Sequence, residues 1–305
     1  MNKMKILITG GSGFIGRHLI RVLSQNEDAE IYVLSRKEMN DPNVTVLHGD
    51  VLNAEQIESI FCEYSFDVVY HFAAITEHHR IVDEKAQTFR TNLQGTINLL
   101  ESFNRHCNNS LFVYSSTGKV YGKSNEMPLS ESAYVNPQNI LGKTKRITEE
   151  VIELYAIPKN QYLCCRIFNI FGEWQKRSFV VPTILDQLNE SSIYLGALHD
   201  LRDYLYIDDL ISAFIACQNN ASNFSQVDYV NIGSGIPADV SDILDAISEL
   251  LGRKLDVSID KSKLRNDETV VEFCNNRKLR EKTGWQPQYS LKAGLSKMLQ
   301  QEGVL

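Results

Sequence analysis

Gly10, Gly13 and Gly16 lie in TGGSGFIG, directly after the short apolar run KILIT. Between a strand and a helix, that spacing suits the pyrophosphate of a dinucleotide. A side chain at any of the three would block the tight turn, the approach of backbone N–H groups to the phosphates, or the packing of helix on strand. The end of the second apolar run then selects among dinucleotides. An acidic residue there accepts from a ribose 2′-OH and repels a 2′-phosphate, but this chain has Ser35 and Arg36. A hydroxyl and a guanidinium suit a phosphate and favour NADP; NAD stays open if Arg36 is only a solvated surface charge. Asp50, in HGDV, either accepts from an adenine amino group or is a turn or helix-capping residue.

Such residues need a rigid frame, and the hydrophobic pattern predicts one. Short β-branched runs at KILITG, EIYVLS, VTVLHGD, DVVYHFAA, SLFVYSS and QYLCCRIFNI alternate with amphipathic stretches near 14–25, 54–62, 84–106 and 138–155. This alternation predicts an α/β fold, a parallel sheet covered by helices on both faces. After Gly172 the rhythm loosens into shorter segments, with helices expected at 239–251 and from about 291. That half reads as a smaller lobe packed on the first, some of whose segments return to the main sheet.

Composition narrows the function classes. With 43% apolar and 23% charged residues the chain is of ordinary globular type, long enough for one large core or two moderate ones. Acidic residues outnumber basic ones by 38 to 31 with no basic run, which argues against a nucleic-acid partner. No stretch has the length of a membrane span, and MNKMKILITGG does not read as a signal peptide. The six cysteines form no CxxC pair, so buried reduced thiols and a cytoplasmic location are expected.

In order along the chain come TGGSGFIG, HGDV, YHFAA, TNLQGTINLLE, YSSTGKVYG, GKTK, RIFNIFG, RDYLYIDDL and NIGSG. With these motifs the chain resembles the extended short-chain dehydrogenase/reductases, more narrowly their nucleotide-sugar epimerases, dehydratases and reductases. The resemblance runs almost end to end. It implies a Rossmann-type doubly wound parallel sheet over 1–171, to which segments near 204–233 return, and a smaller C-terminal α/β lobe over 172–305 gripping a nucleoside-diphosphate sugar. It implies hydride transfer between a nicotinamide and a sugar carbon, and a homodimer formed through the helices at 84–106 and 138–155. Phe14, Ile15, Val51, Ala73 and Ala74 complete the implied cofactor contacts. Thr117 falls where the family hydrogen-bonds the reacting sugar oxygen, although a strand-end hydroxyl also satisfies local backbone. Lys145 falls where a lysine binds the nicotinamide ribose and lowers the pKa of a tyrosine one helical turn earlier.

That tyrosine is missing. The family pattern is Tyr, Gly, any residue, Ser, Lys, and this chain has Leu141, Gly142, Lys143, Thr144, Lys145. An isobutyl group neither gives nor takes a proton, and acid–base help of this kind contributes roughly 10² to 10⁴-fold in rate. Lys119 is one substitute: it stands where the 4,6-dehydratases carry a glutamate, while their adjacent aspartate is Gly118 here. A lysine desolvated against the cofactor would act as a base; otherwise it binds a substrate anion or faces water. Tyr134, on the loop before the helix, is a second, and Tyr121 and the pair His78 and His79 are weaker ones, each otherwise structural. Asn169, just before the C-terminal lobe, and Arg202 and Arg265 within it match the residues that hold the sugar diphosphate, Arg265 loosely because Asn266 and Asp267 replace the usual Pro-Gly. Two functions follow as expectations. One is an NAD(P)-dependent nucleotide-sugar epimerase, dehydratase or 4-ketoreductase with a non-standard acid/base; the other is a binding protein that keeps both sites but not turnover.

Overall fold

The computed structural model describes residues 3–76, 78–263 and 271–305. In chain order its N-terminal half contains β1 (Met4–Thr9), α1 (Phe14–Leu23), β2 (Ala29–Ser35), β3 (Thr45–His48), α2 (Ala54–Glu63) and β4 (Val68–His71). Then follow α3 (His78–Asp83), α4 (Lys85–Phe89), a π turn (Arg90–Gln94), α5 (Gly95–His106), β5 (Leu111–Thr117), α6 (Ile140–Tyr155) and β6 (Gln161–Ile167). The rest of the chain opens with β7 (Asn169–Phe171), α7 (Val180–Asp186), β8 (Ile193–Leu195), β9 (Leu201–Tyr206), α8 (Ile207–Asn219) and β10 (Val227–Ile232). It closes with β11 (Pro237–Ala238), α9 (Val240–Leu251), β12 (Val257–Ile259), β13 (Val271–Glu272), α10 (Arg277–Thr283) and α11 (Leu291–Gln301).

Seven strands form one parallel sheet in the order β10-β6-β5-β4-β1-β2-β3. Both faces are apolar because each strand divides its side chains between two cores. In β1, Ile6 and Ile8 join one cluster and Leu7 the other; β5 divides Leu111 and Val113 from Phe112 and Tyr114. The first cluster is closed by α1 and α8, the second by α2, α5 and α6. This is the doubly wound Rossmann-type sheet expected, and β10, from late in the chain, forms its edge. The smaller lobe is built around β9, which lies between β11 and β13 and also pairs with β7.

The helix expected over 84–106 is interrupted. Buried Asn92 sits in the π turn, where its side chain accepts from Ile75 N at 2.8 Å and donates to Ile75 O at 3.1 Å. Its carbonyl takes the hydroxyls of Thr96 and Thr148. The extra residue per turn turns Asn92 inward to those groups, as π bulges near functional sites commonly do. All six cysteines are free, and Cys62 departs from the expected burial by being exposed on α2. Among the described residues no helix is long and apolar enough to cross a membrane.

Candidate active site

The predicted cofactor residues gather at one edge of the sheet. The Gly10 turn, Ser35, Asp50, Ala73 and Thr117 stand at or just beyond the C-terminal ends of β1, β2, β3, β4 and β5. Open α/β sheets bind ligands at that edge. Gly10 has φ +73°, a left-handed conformation that favours glycine. A Cβ on it would lie 2.8 Å from the backbone of Phe72 and Ala73, and one on Gly16 would lie 2.4 Å from Gly10 O. Gly13 precedes α1 without a side-chain cap, and the helix's first turn holds no acidic residue. Its first N–H groups therefore face the turn with no side-chain acceptor, as an anion site requires. Phe14 and Ile15 pack their side chains against the first core, so what they offer a dinucleotide is backbone N–H. The cradle fits a pyrophosphate.

At the end of β2, Ser35 Oγ donates to Lys37 O at 2.8 Å and accepts from Lys37 N at 3.1 Å. The Arg36 side chain is 76% exposed, with Nη1 3.7 Å from Asp50 Oδ2. Asp50 Oδ1 accepts from Leu52 N at 3.0 Å, a turn contact, and the cap of α2 is Asn53. Val51 is buried against Gly95, where a Cβ would come within 2.8 Å of it. Ala73 and Ala74 follow β4 partly exposed, and Ala73 N donates to Thr9 Oγ1 at 3.2 Å. Beneath them His71 bridges Thr9 Oγ1 (2.7 Å) and Thr96 Oγ1 (2.8 Å), and burial, aided by the Lys145 charge, lowers its pKa to about 3.

Thr117 ends β5 and caps the following 3-10 turn, its Oγ1 accepting from Lys119 N at 3.3 Å. That local role uses a lone pair and leaves the hydroxyl proton available to donate. Helix α6 crosses the turn at Gly142, where a Cβ would lie 2.4 Å from Lys119 O, and Asn139 caps the helix by accepting from Gly142 N at 2.8 Å. The approach fixes Leu141 beside Lys119. Leu141 is half-buried and belongs to neither core layer. One turn on, buried Lys145 donates from Nζ to Ser115 O, with Nζ 4.5 Å from the Tyr114 ring centroid. Burial lowers its pKa to about 7 against the opposing pull of Glu149. Glu149 is fully buried and held by Arg166 Nε (3.0 Å), Arg166 Nη2 (2.8 Å) and Ser116 Oγ (2.6 Å). Sequence reasoning missed this network and Asn92. The available signal was Arg166, a charge inside the otherwise apolar run QYLCCRIF.

Of the roles open to Lys119, base, anion ligand or solvent-facing charge, the structure shows a part-buried ion pair. Its ammonium is ion-paired with Glu272 of β13, and Arg202 Nη1 reaches the same carboxylate oxygen at 2.9 Å. An anionic partner favours the charged amine, which suits a group that gives a proton better than one that takes it. Tyr121 is removed as a proton donor: it is buried, donates to Asn231 Oδ1 at 2.7 Å and accepts from Arg166 Nη1 at 3.1 Å. Burial pushes its pKa up to about 12. Tyr134 is 79% exposed, and no contact brings it to Thr117 or Lys145. His78 and His79 open α3. Asn169, on β7, is hydrogen-bonded to Tyr204 of β9, the strand that carries Arg202. Arg265 lies outside the described residues.

Known proteins are similar to this chain along nearly its whole length. The family model described as GDP-mannose 4,6 dehydratase matches residues 7–298. The UDP-glucose 4-epimerase of Rhizobium meliloti is 28% identical over 96% of this chain and 95% of its own. Among solved structures, UDP-glucose 4-epimerase of Thermotoga maritima with UDP-glucose superposes with a TM-score of 0.87 at 25% identity, covering 99% of this chain and 100% of that one. RMD from Pseudomonas aeruginosa, complexed with NADPH, gives a TM-score of 0.84 at 25% identity over 98% of both chains.

Proposed function

The chain belongs to the GDP-mannose 4,6 dehydratase family within the extended short-chain dehydrogenase/reductases. We propose from that premise that it is an enzyme using a nicotinamide dinucleotide to move hydride at a carbon of a nucleoside-diphosphate sugar. The observation that supports it is that Thr117 ends β5 and Lys145 reaches Ser115 of the same strand, on the sheet edge that also carries the uncapped start of α1. When bound there, a nicotinamide supplies and accepts the hydride. Lys145 holds the ribose, and Thr117 donates to the reacting sugar oxygen. Proton transfer falls to Lys119, Tyr134 or a water, because Leu141 has no proton to move. Of these Lys119 stands nearest Thr117, in the same turn. A binding-only role is favoured by Leu141 alone, and family membership with Thr117 and Lys145 in place weighs for turnover.

NADP is the preferred cofactor, supported by Ser35 and Arg36 and by the lack of a carboxylate at the end of β2. The dinucleotide is held by residues 1–171, and the sugar diphosphate lies between Asn169, near the end of that segment, and Arg202 and Arg265 of the lobe of 172–305. A cytoplasmic location and a homodimer complete the reading, the former supported by free thiols throughout. The test is incubation of the purified protein with UDP-, GDP- and dTDP-sugars and NADP⁺ or NAD⁺, and with their 4-keto forms and NADPH or NADH, followed by product mass. Conversion that is lost in Thr117→Val supports the enzyme; tight binding without product across the panel refutes it. Product mass separates dehydration or reduction from epimerisation. Conversion abolished by Lys119→Ala but kept by Tyr134→Phe assigns the proton to Lys119, and the reverse pattern assigns it to Tyr134.

A further inference from the structure

Glu272 is the register partner of Arg202 in the parallel pairing of β13 with β9, so the sheet itself sets the two side chains next to each other. The Glu272 side chain is only 10% exposed, and its Oε2 takes both Arg202 Nη1 and the Lys119 ammonium. The other end of the arginine fork, Nη2, is held by Asp200 at 3.0 Å. Both donor edges of the guanidinium are thus committed to carboxylates, and Lys119, Arg202, Asp200 and Glu272 together carry no net charge. A sugar diphosphate reaching Arg202 finds no free fork.

On the reading above, in which Arg202 grips the diphosphate, we propose that Glu272 stands in for a phosphate in the free protein and must yield Arg202 before a nucleoside diphosphate can bind. Glu272 can do so without becoming an unpaired buried charge, because Lys119 holds the same carboxylate. Arg202 belongs to the smaller lobe and Lys119 to the turn at the end of β5, so the exchange ties diphosphate binding to the position of Lys119 beside Thr117. Glu272 is a positioning residue that sets how strongly a ligand must be charged to enter.

The test is calorimetric titration of UDP, GDP and dTDP into the wild type, Glu272→Gln, Glu272→Asp and Arg202→Ala, each saturated with NADP⁺ and checked for folding by circular dichroism. Glu272→Gln keeps the shape and removes the competing charge, and should tighten the best-bound nucleotide by at least about tenfold. Glu272→Asp, one methylene shorter, should tighten it by less and serves if the glutamine variant does not fold. Unchanged or weaker binding in both, with Arg202→Ala weakened, overturns the stand-in role and leaves the arginine clamp intact. If Arg202→Ala binds as the wild type does, the clamp and the stand-in role fall together.

Discussion

Lys145 and Leu141 face the same problem from opposite sides, since one is a charge that burial opposes and the other an apolar group where a phenol would serve. An unfolded lysine titrates near 10.4 and this one near about 7, so between those values the unfolded chain holds a proton that the folded chain has shed. The destabilisation is therefore complete below pH 7 and fades as pH rises toward 10. Lys145→Met should stabilise the cofactor-free protein at pH 7 by on the order of 1–3 kcal/mol, less near pH 10, while abolishing turnover. Thermal melts of both proteins at the two pH values check this, and a variant less stable at pH 7 contradicts it. At Leu141 the neighbours of a catalytic phenol persist: Lys145 one turn on and Thr117 at the end of β5. Leu141→Tyr should raise turnover of an accepted nucleotide sugar by at least about tenfold, within the roughly 10² to 10⁴-fold that acid–base help provides. No gain would mean that the surroundings have changed along with the residue.

At the scale of elements, the site depends on how closely α6 approaches the turn after β5. Gly142 permits that approach, because a Cβ there would meet the backbone carbonyl of Lys119, which cannot move without shifting Thr117. Gly142→Ala should lower stability by about 1–3 kcal/mol and lower turnover more than cofactor affinity, which melting and a kcat against Kd comparison would separate. Equal losses in both would indicate general loosening of the helix. The sheet and helices were legible in the sequence because burial on both faces demands apolar runs such as KILIT and SLFVYSS, and those runs are local. The break in 84–106 was not legible, since no glycine or proline marks residues 90–94 and the π turn is held by Asn92 bonding to Ile75, far off in sequence. The fate of Lys119 was hidden for a similar reason. It depends on Glu272, 153 residues later, and on the register of a two-residue strand that no periodicity could reveal.

For the whole molecule, what the apolar surface leaves uncovered bears on assembly. The side chains of Ile147 and Leu154 lie two helical turns apart on the same face of α6, 37% and 81% exposed. Beside them α5 packs against α6, with Tyr155 Oη donating to Glu101 at 3.4 Å. A face like this with isobutyl and sec-butyl groups in water loses apolar hydration when it meets its own copy about a two-fold axis, which an isologous contact allows. The same helices hold Asn92's partner Thr148, Lys145 and Leu141, so a contact on their outer face would stiffen the inner one. The expected species in light scattering is therefore twice the chain mass, and the paired substitution Ile147→Glu with Leu154→Glu should return it to one. Charges placed on exposed positions leave the core intact, so the monomeric variant should still fold and bind dinucleotide. Its turnover should fall, because α6 would lose the support that holds Lys145 against Ser115. A wild-type chain that scatters as a monomer defeats the dimer, and a variant that is monomeric with full turnover shows that assembly is separate from the site.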